Sequence, residues 1–301
     1  MRRGTATIAA GLVVVLGMAL SSAWARPGGA EEAKLAPVRV GLVGTLFRDT
    51  PAPLVQVVLK PFKSLLESQT GVTGQIVAGG DADSLGQQLK EDKVQLGVFH
   101  GVEFAWARQK NPTLKPLLIA VNHHRFLRAF LVVRQDSKAS CCGDLQGHAL
   151  AMPRLSREHC RLFLERRCCL PGETPETTFK PLTISVDPEE ALDAVVDGTA
   201  QAALVDEVEL EAYQKLKPGR AAKLKKLVES ERFPCAVVAY NEGRLPESQL
   251  KVFREGMIAS KKNRRGKELL EMCRITGFEA VPTDYEQTLT DIVKAYPPPE
   301  K

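Results

Sequence analysis

The chain has 301 residues, 44% of them hydrophobic, and a formal net charge of +5. That length is enough for two domains of ordinary size. The charge is only mildly basic and no basic run interleaves with aromatics, which argues against a nucleic-acid partner.

The first 25 residues read as a cleavable export signal. Arg2 and Arg3 give a charged start, Ile8 to Leu20 an apolar core, and Ala23–Trp24–Ala25 the small residues of a cleavage site. The apolar run is shorter than the roughly 18–20 residues of a membrane span. No cysteine follows it to carry a lipid, so the exported chain is expected to be soluble and periplasmic or secreted. Loss of Arg2 and Arg3 lowers the net charge from +5 to +3. The clusters Lys223–Lys225–Lys226 and Lys261–Lys262–Arg264–Arg265–Lys267 read as solvated surface, with a docking patch as the alternative.

Residues 26–37, rich in Gly, Ala, Pro and Glu, read as a flexible lead-in. From there predicted strands and helices alternate. An apolar strand, 38–43, ends in the turn Gly44–Thr45, and Leu54 to Ser68 carries apolar residues at helical spacing up to a C-capping Gly71. A second strand is predicted at 72–78, and Asp81 caps a helix running to residue 91 or so. A short buried strand follows at 94–99, then a helical stretch at 101–108. Long apolar strands are predicted at 114–121 and 126–133, on either side of Asn122–His123–His124–Arg125. Beyond a polar, Cys-bearing loop the predicted order is strand 148–151, helix 156–167, strand 179–184, helix 188–196, strand 200–205 and helix 208–216. The stretches 222–228 and 236–240 are returning strands, and the remainder is helical with breaks at Gly266, Gly277 and Pro282.

Two successive βαβαβ sets joined by paired strands predict an α/β fold, two Rossmann-like lobes joined by a two-strand hinge. Lobe I is expected from 38–125 plus 236–301 and lobe II from 126–235. A cleft between such lobes can close over a ligand by hinge bending. A strand that feeds a helix N-terminus presents backbone N–H groups to an anion, which favours a solute catcher over an enzyme.

Seven cysteines in an exported chain suggest at least one disulfide. The favoured bridge joins one of Cys141 and Cys142 to one of Cys168 and Cys169. Zinc held with His148 and His159 is the alternative, but the CC doublets lack the C-x₂-C spacing of structural zinc. No metal and no other cofactor is therefore expected. Cys160 stands beside His159, yet neighbouring helix positions do not face each other. No G-x-S-x-G, H-E-x-x-H or P-loop is present, so enzymatic readings find no support.

Over nearly its whole exported length the sequence resembles the periplasmic substrate-binding proteins of phosphate/phosphite/phosphonate ABC importers, the phosphonate-binding-protein group of the type II periplasmic binding fold. The carrying segments include Val40–Gly41–Leu42–Val43, Pro61–Phe62–Lys63–Ser64–Leu65–Leu66–Glu67 and Val94–Gln95–Leu96–Gly97–Val98–Phe99–His100–Gly101. Later ones are Phe130 to Ser137, Asp144–Leu145–Gln146–Gly147 and Val195 to Asp206. The chain departs from the family pattern at Gln95, at the turn His100–Gly101–Val102, and at Pro153 to His159, which replaces a Ser/Thr-rich anion cradle. The resemblance implies capture of a small phosphorus oxyanion, phosphonate, phosphite or phosphate, and its delivery to a membrane permease by a monomeric protein that is peripheral at the membrane only through that permease. Two alternatives are the same fold as a ligand-sensing module for a membrane receptor, and a cysteine-based redox or metal protein.

A desolvated anion needs donors aimed inward. Thr45 offers a hydroxyl, or else caps the helix starting near residue 50. His100 can donate from a strand end, beside Gly101. Ser156 is a ligand hydroxyl, an N-cap, or both. Arg154 or Arg157 could supply a bidentate guanidinium or be surface charge. Asp206 could accept the proton of a monoprotonated oxyanion, pair with an aminoalkyl ammonium, or cap the following helix. Phe47, Phe99 and Phe104 read as core.

Overall fold

The computed structural model describes residues 37–48, 50 and 52–299. The export signal at 1–25 and all of the lead-in but Pro37 lie outside the described residues.

Strong β-formers at 38–43 start a six-stranded sheet whose order is Gly277–Glu279, Leu114–Val121, Ala236–Asn241, Leu96–Phe99, Val38–Val43 and Gly74–Gly80. Val38–Val43 pairs in parallel with both Gly74–Gly80 and Leu96–Phe99. Ala236–Asn241 returns antiparallel between Leu96–Phe99 and Leu114–Val121. Alternation along these strands buries both faces. Val40, Leu118 and Val238 pack with Leu65, Leu66, Phe253 and Met257 on one side. Phe99, Ile119 and Val237 pack with Leu85, Leu89, Phe104 and Tyr285 on the other. The helices Ala52–Thr70, Glu247–Ala259 and Arg264–Met272 thereby cover one face, and Ala82–Lys90, Gly101–Lys110 and Tyr285–Ala295 the opposite one.

A second, five-stranded sheet runs Leu224–Glu229, Ala129–Arg134, Ala202–Asp206, Leu150–Pro153 and Leu182–Ser185. Leu150–Pro153 is parallel to both its neighbours, and Ala129–Arg134 is antiparallel to both of its own. Between the sheets lies a short antiparallel ribbon in which Phe126–Leu127 pairs with Phe233–Pro234. The chain passes from the first sheet to the second through one strand of this ribbon and returns through the other.

Several predicted boundaries shift. The stretch 126–133 is two strands, Phe126–Leu127 and Ala129–Arg134, because the first pairs in the ribbon and the second in the sheet. The helix expected from Ser156 begins at Glu158 with Arg157 as N-cap, and beyond Phe163 it widens into a π-helical turn, Leu164–Cys168. Gly266 does not break a helix. It sits inside Arg264–Met272, its N–H bonded to the capping Asn263 side chain. Gly277 opens an edge strand, Gly277–Glu279, that no alternation in so short a run could announce.

Candidate functional site

The strand ends at Val43, Phe99 and Pro153 converge on a cavity of about 240 Å³ beside the ribbon. Its walls come from both sheets. Thr45, Arg48, His100 and Gly101 stand on one side, Ser156, Arg157, Glu158 and His159 on the other, with Phe233 and Pro234 of the ribbon between them.

Gly101 opens the helix Gly101–Lys110. A Cβ there would fall well inside contact distance of the Pro234 carbonyl oxygen and 2.6 Å from that of Cys235, so only glycine lets the helix end meet the ribbon. The first intrahelical bond runs from Phe104 N–H to the His100 carbonyl, leaving the earlier N–H groups to the cavity end of the helix. Glu103, at the third helical position, is buried at the start of the helix, where the nearby His100 backbone favours its charged form. Thr45 Oγ1 donates to the same carboxylate, 2.9 and 2.8 Å from its two oxygens. Thr45 is therefore neither a cap for the helix Ala52–Thr70 nor a free hydroxyl. Burial pushes the Glu103 carboxyl up to about 7, opposed by the Thr45 bond and reinforced by Glu158.

His100 is held neutral, its pKa lowered to about 4 by burial and by the nearby His159, Arg48 and Arg157. The nearby Thr45 backbone favours the protonated ring but is outweighed by burial. Its Nε2 is buried with no hydrogen-bond partner. His159 is also lowered to about 4, chiefly by burial, and its ring lies 5.7 Å from that of Phe233. Cys160 Sγ does meet His159 Nε2, at 3.5 Å, but burial raises the thiol far above its ordinary value, so the pair holds no thiolate.

Asp206 is 2% exposed and does not line the cavity. Its side chain accepts from Glu209 N–H at 2.8 Å while Glu209 accepts from Asp206 N–H, a complete capping box for the helix Glu207–Leu216. Its other oxygen lies 2.9 Å from Arg157 Nε, an ion pair without an aligned N–H. Asp206 thus holds Arg157 from behind. Arg154, by contrast, is exposed and outside the cavity lining, because it precedes the turn that swings Ser156 and Arg157 inward. Ser156 lines the cavity, but its hydroxyl donates to the Pro153 carbonyl at 2.8 Å.

Sequence reasoning missed the Arg48–Glu158 fork, in which Arg48 Nε and an Nη reach the two carboxylate oxygens at 3.0 and 2.6 Å across the cavity mouth. No local pattern joins residues 110 apart. It also missed Glu103, although an acid three residues after a helix N-cap is a recognisable signal. Arg161 and Arg274 add two further guanidinium groups to the lining. The arrangement therefore offers helix N–H groups, four arginines and two neutral imidazoles to a small polar guest, which suits a compact anion.

A family model described as ABC transporter, phosphonate, periplasmic substrate-binding protein matches residues 50–285. No curated protein matches the chain. Among solved structures, a Xanthomonas citri protein bound to ATP aligns with a TM-score of 0.55 at 16% identity, covering 87% of this chain and 97% of that one. PhnD1 of Prochlorococcus marinus, in complex with methylphosphonate, aligns at 0.54 and 15%, covering 85% and 97%. A binding-protein component of an ABC phosphonate transporter from Pseudomonas aeruginosa aligns at 0.52 and 17%, covering 85% of each chain. These likenesses establish the fold, that of the type II periplasmic binding proteins.

Proposed function

Because the chain belongs to the periplasmic substrate-binding family of phosphonate ABC transporters, we propose that it captures a small phosphorus oxyanion in the cavity beside the ribbon and delivers it to a membrane permease. Members of this family are solute-binding components of transport, not enzymes. The observation that carries the ligand class is the four-arginine lining with the helix end at Gly101 facing Arg157 across the cavity. In our reading His100, Gly101, Ser156 and Arg157 meet the ligand, while Thr45 and Asp206 hold those groups in place. Arg154 is withdrawn from the set.

Micromolar capture needs about 8 kcal/mol, and charge-assisted hydrogen bonds contribute about 1.5–3 kcal/mol apiece, so three or four such contacts suffice. We read residues 38–125 plus 236–301 as one lobe, 126–235 as the other, and the ribbon as the hinge on which they close. The protein is expected to be exported, cut after Ala25, and to act as a monomer. Thermal and chemical unfolding of residues 26–301 with phosphate, phosphite, methylphosphonate or aminoethylphosphonate tests the reading. Stabilisation of about 2.7 kcal/mol is expected at a hundredfold excess over Kd. No stabilisation by any of the four would refute it.

A further inference from the structure

We propose that the ligand carries a hydrocarbon substituent on its phosphorus head group, and that a second chamber opening off the anion cavity receives this substituent along one face of the helix Glu207–Leu216. The inference rests on the proposed oxyanion site and names the organic part of what that site takes.

A cavity of about 660 Å³ adjoins the first, and Asn122, Arg157, Arg274 and Ile275 line both. An anion held by Arg157 therefore sits at the junction, with the larger space open to whatever it carries. Behind Arg157 stands Asp206, the N-cap of the helix Glu207–Leu216. On that helix Leu210 and Tyr213 turn into the core. Val208, Ala212 and Leu216, each four residues from the next, form a separate apolar stripe, and all three line the second cavity. Leu216, at the outer end, is 65% exposed. The stripe begins beside the anion cavity and leads away from it for about 12 Å, longer than an extended hexyl group. Ile275, just before the strand Gly277–Glu279 of the first sheet, adds to the apolar lining.

The polar residues of this chamber decide which end of a ligand enters it. Its acids, Asp187, Glu189, Glu209 and Glu271, repel an anionic head group and leave it to the arginines of the first cavity. Three of them are already matched within the protein. Asp187 accepts from Glu190 N–H, Glu189 pairs with Lys217, and Glu209 accepts from Asp206 N–H. The fourth, Glu271, is exposed to water. The acids therefore place no demand on the ligand for an ammonium group, while the stripe gains by covering hydrocarbon. Full burial of a methylene tightens binding about fourfold, and a groove open on one side gives about half of that free energy, or about twofold. From methyl to hexyl this compounds to about 30-fold.

The test is titration calorimetry of residues 26–301 with methylphosphonate against hexylphosphonate, and with methyl phosphate against hexyl phosphate. The hexyl member is expected to bind on the order of 30-fold more tightly in at least one pair, and which pair shows it tells a phosphonate from a phosphate ester. Ala212→Gln and Leu216→Ser change exposed positions outside the anion-binding set and add no charge. Each should cut the hexyl-to-methyl ratio at least about threefold and leave affinity for the methyl member unchanged. Affinity that stays flat or falls from methyl to hexyl in both pairs, or a ratio that neither variant alters, overturns this inference alone. Binding of none of these ligands, nor of inorganic phosphate, overturns the proposed function and this inference with it.

Discussion

Replacing Glu103 with glutamine is expected to alter how folding stability depends on pH. In the folded chain burial pushes this carboxyl up to about 7, against an ordinary glutamate value of 4.5. Between those values the folded protein keeps a proton that the unfolded chain has released. The folded state binds more protons there, so the contribution of Glu103 is full below about 4.5 and is lost as the pH rises through about 7. At about 1.4 kcal/mol per tenfold change in proton activity, the window is worth about 3 kcal/mol. Glutamine cannot titrate, yet keeps an oxygen for the Thr45 hydroxyl. His100 and His159, both held near 4, act in the opposite sense, making stability rise with pH from about 4 to 6.5. Both are present in either protein and cancel in the difference. Urea unfolding followed by circular dichroism at about pH 5 and about pH 8 reads that difference. Relative to the wild type, E103Q should gain about 2–3 kcal/mol between the two conditions. A stability difference that is the same at both pH values would refute the placement of an ionisable Glu103 beneath the cavity.

Gly101→Ala drives a Cβ into the Pro234 and Cys235 carbonyl oxygens, backbone atoms of the ribbon that cannot rotate away. A loss of at least about 1–3 kcal/mol in urea unfolding is expected, and a neutral result would mean the helix and ribbon do not meet this closely. Glu158→Gln removes one charge of the Arg48–Glu158 fork, whose side chains are 12% and 45% exposed for Glu158 and Arg48. Screening limits the loss to about 1 kcal/mol or less, measured by the same assay, and a larger loss would contradict the solvent-exposed position of Arg48. Cys142 and Cys168 are free thiols with their sulfurs 2.8 Å apart. Exchange with oxidised glutathione should link these two, releasing two equivalents of reduced glutathione, and peptide mapping under non-reducing conditions would find a 142–168 bridge. A 141–169 bridge instead would show that the helix end at Cys168 is misplaced.

The alternating pattern of strands and helices was legible because each buried strand is a short run of β-branched and apolar residues between clear punctuation. Gly71 and Asp81 each stand where they were expected to end or begin a helix, Gly71 with positive φ and Asp81 as an N-cap. The edge strand Gly277–Glu279 was not legible, since three residues paired only on one side carry too little pattern. At the site, His100 and Gly101 could be read from their place after an apolar strand. Arg154 and Arg157 could not be told apart, because which arginine turns inward depends on the main-chain bond from Arg154 N–H to the Ser185 carbonyl and on Asp206 waiting beneath Arg157. Both partners come from distant parts of the chain, and that kind of pairing leaves no local trace.

The carboxylates of this site resolve an apparent contradiction in a cavity meant for anions. Asp206, Glu103 and Glu158 all lie close to it, yet each is engaged with a group of the cavity wall: Asp206 with Arg157, Glu103 with Thr45, Glu158 with Arg48. Arginines left without counter-ions in a half-buried cleft would repel one another and move, and a mobile guanidinium loses its forked geometry. Acids one layer behind the wall hold the donors in position before a ligand arrives, so less ordering remains for the ligand to bring about. The Glu158 pair differs from the other two because it spans the two walls instead of lying behind one. An anion that enters has to share Arg48 with Glu158 or displace it, so of the three acids this one couples occupancy of the cavity to the contact between its walls.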